Sequence, residues 1–117
     1  MDLNKIIQTL KEHPGYHKMG MIASHLGVVR ENSLSGGMVT EVHVKFKKDE
    51  VDKIISDIKK MKGIIHVIVE YSEGSLKVGD EIMAVVVGGD TREHVFPALI
   101  EAVNRIKNEG GDKEEVF

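Results

Sequence analysis

Four cations stand at the edges of segments that read as regular structure: Arg30, Arg92, Lys107 and Lys113. Side chains of this kind hold phosphate or carboxylate groups, arginine through parallel N–H donors and lysine as a point charge. Arg30 follows an apolar run, and Arg92 opens a helical segment whose first backbone N–H groups are free to meet an anion. Lys107 falls near the end of that helix, and Lys113 lies in the tail. Taken singly, each reads as a solvated charge or a salt-bridge partner. Only the set points to a site. Arg30, Arg92 and Lys107 come from three distant stretches, so the expectation is that the fold brings them to one anion site, within one subunit or across two.

Other chemistries find less support. Cysteine is absent, which removes thiolate catalysis, disulfides and cysteine-based metal sites together. Six histidines are scattered at 13, 17, 25, 43, 66 and 94. His13 and His17 are four apart, but Pro14-Gly15 interrupts the helical turn that would align them on a metal. The histidines therefore read as ordinary polar or half-buried residues, and neither a metal nor a cofactor is expected. Gly36-Gly37 and Gly88-Gly89 lack the spacing of a phosphate-binding glycine loop. Nothing in the spacing of serine, histidine and aspartate marks a catalytic triad.

The elements that must position the cations follow from periodicity. Leu3, Ile6, Ile7 and Leu10 share one helical face, and His13-Pro14-Gly15 ends that helix. Residues 20–29 read as a strand and 31–37 as a loop. Residues 38–46 alternate, with Met38, Thr40, Val42, Val44 and Phe46 on one side. A helix capped by Asp49 carries the stripe Val51, Ile54, Ile55, Ile58 and Met61 and stops at Gly63. Residues 64–71 and 82–87 are β-branched runs, read as strands buried on both faces, with a loop and a tight turn at Gly79-Asp80 between them. The last helix presents Phe96, Leu99, Ile100, Val103 and Ile106, with Pro97 predicting a late start or a bend, and Gly110-Gly111 stops it. The order α-β-β-α-β-β-α predicts one α+β domain over 1–117, a mixed sheet with flanking helices.

Composition narrows the class. The chain has 117 residues, enough for one substantial core, and 41% of them are hydrophobic. Sixteen basic against nineteen acidic side chains leave a net charge of -3, and only three Phe and two Tyr are present. Neither a basic nucleic-acid face nor a base-stacking platform is expected. The lysines crowded between 45 and 62 read as solvated faces. No apolar run reaches the ~20 residues of a membrane span. The first residues lack the pattern of a signal peptide, so the expected setting is the cytoplasm.

The set of cations resembles that of a known family. Gly27-Val28-Val29-Arg30 and the polar loop after it resemble the G-x-V-R element of the molybdopterin synthase large (catalytic) subunit. Gly74 and Leu76, followed by Gly79-Asp80-Glu81, resemble its G-x-L-x-x-G-[DE] stretch. Thr91-Arg92, Phe96 and a helix ending in Lys107 resemble its A-H-R-x-x-x-F helix and the lysine that follows. The three lie in register over residues 18–113. The resemblance implies an α/β-hammerhead-like fold, a homodimer, and a ubiquitin-like sulfur-carrier small subunit as partner. It implies sulfur transfer from that subunit's terminal thiocarboxylate to cyclic pyranopterin monophosphate, forming the molybdopterin dithiolene. On that reading Arg30 and Arg92 hold anionic groups, Lys107 is the catalytic lysine, and Lys113 stands near the family's second lysine, one residue short in spacing.

This sequence departs from the family in places. The family's His-Arg before the glycine-leucine stretch is Tyr71-Ser72, and its histidine beside Arg92 is Thr91, with His94 nearby but out of register. The family's apolar-aromatic segment after the helix is replaced by Asn108–Lys113, and the sequence stops at Phe117, where the resemblance leads one to expect a longer tail. The alternative is a non-catalytic dimeric homologue, a binding or assembly protein on the same scaffold.

Overall fold

The computed structural model describes all residues from Met1 to Phe117. Helix α1 (Leu3–Lys11) leads through a short 3-10 turn to β1 (Met21–Val28), and β2 (Glu41–Phe46) follows a long loop. Then come α2 (Lys48–Lys59), β3 (Ile64–Tyr71), β4 (Gly74–Lys77), β5 (Glu81–Gly89), α3 (Arg92–Arg105), a π turn (Ile106–Gly110) and β6 (Gly111–Val116). No helix is long and apolar enough to cross a membrane.

The α+β class with flanking helices is what the structure has, but its strands form two sheets, ordered β1-β5-β3 and β4-β2-β6. Every pairing is antiparallel, so the single mixed sheet expected from the element order is corrected. The reason is two strands that periodicity does not reveal. β4 and β6 carry polar sequences and form by pairing with the two edges of β2. Residues 74–77, read as loop, and the acidic tail are therefore both extended.

β5 is the central strand of the first sheet and is buried from Met83 to Gly89. One face packs Met83, Val85 and Val87 against Ile54 and Ile58 of α2 and Val95, Ala98 and Ala102 of α3. The other packs Ala84 and Val86 against Ile6 and Leu10 of α1. Complete burial of such a side chain contributes roughly 1.5–3 kcal/mol, so this run anchors the fold. β3 is less enclosed than expected, with only Ile64 and Val67 buried.

Three local expectations change. Lys47 occupies the N-cap of α2, and Asp49 lies inside its first turn. Val39 is buried while Met38 is 60% exposed, so the alternation of β2 holds only from Val42 onward. α3 starts at Arg92 and takes Pro97 within it, on the exposed side. Its buried face is Val95, Ala98, Ala102 and Val103, while Phe96 and Ile100 stand 49% and 61% exposed. Small residues win that face because they let the helix come close to Gly89, where a β-carbon would press on Val95 Cγ2.

The second sheet has its own core of Val29, Val39, Val42, Val44 and Leu76. Phe46 touches both cores and stacks on Tyr71 of β3 with ring centroids 4.3 Å apart. A register shift between Gly27 and Val28 lets β1 leave the first sheet and deliver Val29 to the second core. Val29 is held there by its N–H to Asp80 O at 2.9 Å and by Gly79 N–H donating to its own carbonyl at 2.9 Å.

Candidate functional site

Where β1 crosses between the sheets, a cleft of about 580 Å³ opens. Its apolar lining includes Val29, Val42, Val44, Phe46, Met83 and Ile106. Its charged residues are Arg30, Lys107 and Lys113 against Asp112 and Glu115, so cations outnumber acids by three to two.

Each of the three cations is placed by a different element. Arg30 follows the buried Val29, and its Nε donates to Asn32 O at 2.8 Å, which steadies the loop that begins there. Lys107 is fixed by its neighbour Ile106, fully buried in the first core, and by the π turn in which both lie. Wider turns of this kind redirect side chains and recur at functional sites. Lys113 is set by register. It pairs with Val44, and directly opposed residues of an antiparallel ladder share a face, so it projects from the inward side of β6. Glu115, opposite Val42, shares that side and accepts a hydrogen bond from Ser33 Oγ at 2.9 Å.

Arg92 does not join them within the chain. α3 has 14 residues and spans about 21 Å, with Arg92 at one end and Lys107 just beyond the other. The Arg92 side chain is 78% exposed and its Nε lies 3.5 Å from Glu93 Oε1. Within one chain the cleft brings together Arg30, Lys107 and Lys113, and Arg92 lies outside it. At the start of α3 a different arrangement stands. His94 Nδ1 lies 2.8 Å from Asp90 Oδ1, which also accepts the Thr91 N–H at 2.6 Å. The hydrogen bond from His94, and after it the Thr91 N–H, hold the Asp90 carboxyl below the usual range.

Tyr71 spends its ring on Phe46, and Ser72 N–H donates to Ile82 O at 2.8 Å, so neither adds a charge to the cleft. Three other histidines are engaged locally. His13 Nδ1 accepts the Gly15 N–H at 2.9 Å, its ring packs on His66, and His17 Nδ1 lies 3.1 Å from Pro14 O.

One lining residue was passed over in the sequence. His25 shares the cleft with the three cations, and burial first, then the Lys107 charge, lowers its pKa from the ordinary 6.5. The available signal was parity, since His25 lies two residues before Gly27 and strand alternation puts both on one face.

Such a cleft can hold an anionic group among its cations and an apolar or ring-shaped body on its floor. A family model described as MoaE protein matches residues 1–109. No curated protein matches the chain. Among solved structures it is similar to molybdopterin synthase from Staphylococcus aureus, with a TM-score of 0.81 and 18% identity over 100% of this chain and 85% of that one. It is similar to the molybdopterin biosynthesis MoaE protein from Burkholderia ambifaria MC40-6, with a TM-score of 0.79 and 22% identity over 99% and 79%. A third is the protein-protein complex of subunit 1 and 2 of molybdopterin-converting factor from Helicobacter pylori 26695, with a TM-score of 0.74 and 14% identity over 100% and 80%. At these identities the structural likeness is one of fold. The family model, which covers nearly the whole chain, decides the rest: the chain belongs to the MoaE protein family.

Proposed function

We propose that this protein works in molybdopterin synthesis as the large subunit of the synthase. It takes sulfur from the C-terminal thiocarboxylate of a ubiquitin-like small subunit and places it on cyclic pyranopterin monophosphate, giving the dithiolene. The observation that carries the reading is the meeting of Arg30, Lys107 and Lys113 in one cleft between the sheets. Both reactants are anionic, and fixed cations stabilise charge that develops as the sulfur adds to the pterin. Arg30 suits the phosphate because a guanidinium can donate two parallel hydrogen bonds. Lys107 and Lys113 suit the thiocarboxylate and the carboxylate that remains once a water oxygen has replaced the transferred sulfur. The reaction needs no metal or cofactor from the protein, and its proposed setting is the cytoplasm.

Arg92 enters this scheme only through a homodimer. Arg92, Phe96 and Ile100 are spaced four apart on α3 and all are exposed, so a charged group and two large apolar side chains share one open face. A second copy packed there would cover the apolar pair and carry Arg92 toward a neighbouring cleft. The test is reconstitution with a thiocarboxylated carrier and the pyranopterin substrate, with dithiolene product measured. Product formation supports the enzyme. A homodimer that binds the carrier but forms no product favours the non-catalytic homologue, a reading to which Glu115 in the cleft and the absence of charge at Tyr71 and Ser72 lend weight.

A further inference from the structure

His25 is the one imidazole among the residues that line the cleft. It pairs with Val85 in the β1–β5 ladder and shares a face with Ala23 and Gly27. The ring lies beside Gly27, where a β-carbon would meet His25 Nε2 at an ordinary contact distance of 3.4 Å. That nitrogen is sealed from water and has no hydrogen-bond partner. A sealed, unpaired nitrogen favours the neutral ring, because a charge there lies away from water.

The charges that share the cleft with the ring come from three elements, and of them Lys107 acts on it directly. Arg30 lies at the end of its own strand, Lys107 on the π turn, and Asp112, Lys113 and Glu115 on β6. On α3, Arg105 is already tied to Asp57 and Glu109. β5 offers Met83 and Val85 beside it, with Glu81 further along opposite Val28. Of these side-chain classes only imidazole changes charge between about pH 5.5 and 8.

Resting on the reading of this cleft as an anion site, we propose that His25 is its proton-taking member. The ring is neutral in the empty cleft and becomes the fourth cation when a tetrahedral dianion such as a phosphate monoester binds, so that binding takes up one proton. An incoming dianion offsets the Lys107 charge that disfavours the imidazolium. By linkage, the proton then tightens the anion by the same factor.

Sulfate is the suitable probe, because it is a tetrahedral dianion that does not itself titrate in this range. Calorimetry in two buffers of different ionisation heat reads the protons taken up, and NMR of the His25 ring reads its titration with and without sulfate. The expected results are net proton uptake near pH 6.5 and a ring pKa raised by about one unit with sulfate. Sulfate affinity should rise several-fold, with about tenfold as the limit, from pH 8 to pH 5.5. His25→Phe and His25→Gln, the second keeping a polar group without the charge, should bind sulfate with a flat pH profile. A flat profile in the parent, no proton uptake, or a pH dependence that survives in both variants overturns the role of His25. If sulfate binding is lost in Arg30→Ala and Lys113→Ala yet is independent of pH, His25 alone is overturned. If the parent binds no sulfate, or binds it regardless of those cations, the anion site falls and His25 falls with it.

Discussion

Lys113 stands directly opposite Val44 where β6 pairs with β2, and the lysine therefore projects from the inward face of that sheet. Glu114, the next residue, stands opposite His43 and projects outward. Asp112 stands opposite Lys45 and still reaches the rim of the cleft. Parity thus separates Lys113 and Glu115 from Glu114 along one short, polar strand.

The first prediction follows from that parity. Lys113→Ala should slow dithiolene formation about 100-fold, the effect of losing one charged donor at a developing anion. Glu114→Ala, on the outer face, should leave the rate nearly unchanged. Equal losses in the two variants would show that the register does not matter to the chemistry.

Lys107→Ala should reduce sulfur transfer by about 100-fold or more. Its side chain is exposed, so urea unfolding should shift by about 0.5 kcal/mol or less. Turnover equal to that of the parent would remove Lys107 from the mechanism.

Light scattering at micromolar concentration should return twice the 13.0 kDa chain mass. Ile100→Glu, which puts a charge on the exposed apolar face of α3, should lower the mass to that of one chain. A parent that stays at 13.0 kDa would count heavily against the dimer, and with it against a role for Arg92 in the cleft.

Acid should destabilise the protein through His66 and His25. Burial, then Lys59, then His13 hold the His66 pKa below 6.5, and burial, then Lys107, do the same for His25. A depressed pKa means that the unfolded chain binds the proton more readily. Stability is therefore fully present above pH 6.5 and is lost as pH falls through the folded values. The urea midpoint should be lower at pH 5.5 than at pH 8, and the gap should narrow in His66→Gln. A midpoint unchanged or higher at pH 5.5 would contradict the assignment.

Gly63→Ala should cost about 1–3 kcal/mol, because a left-handed backbone adds strain and the new β-carbon has nowhere to go. Gly63 has φ +79, and a β-carbon there presses on Asp90 Oδ1 and His94 Nδ1. Gly74→Ala is the control, with φ +96 but open space around it. Urea unfolding of the two should rank Gly63→Ala as clearly the more damaging.

By itself the sequence determined whatever rests on local periodicity and on backbone chemistry. The stripe Val51, Ile54 and Ile58 of α2 is buried as its spacing requires, and Gly63 and Gly79 take the positive φ that ends a helix and turns a hairpin. The apolar run of β5 had to be a central strand, since no surface position would tolerate it. The G-x-V-R stretch and the helix carrying Arg92 and Lys107 already pointed to the family. Tertiary structure decided the rest, for reasons that a local window does not contain. β4 and β6 have too few apolar residues to show a period, and their extended form comes from hydrogen bonds to β2, some thirty and seventy residues away. The face of α3 was settled by the size of its residues rather than by their hydrophobicity. Ala98 and Ala102 allow close approach, and Phe96 and Ile100 are left outside. His25 became a site residue only because the π turn set Lys107 beside its strand, and Arg92 left the site of its own chain because a rigid helix of 14 residues keeps its two ends apart.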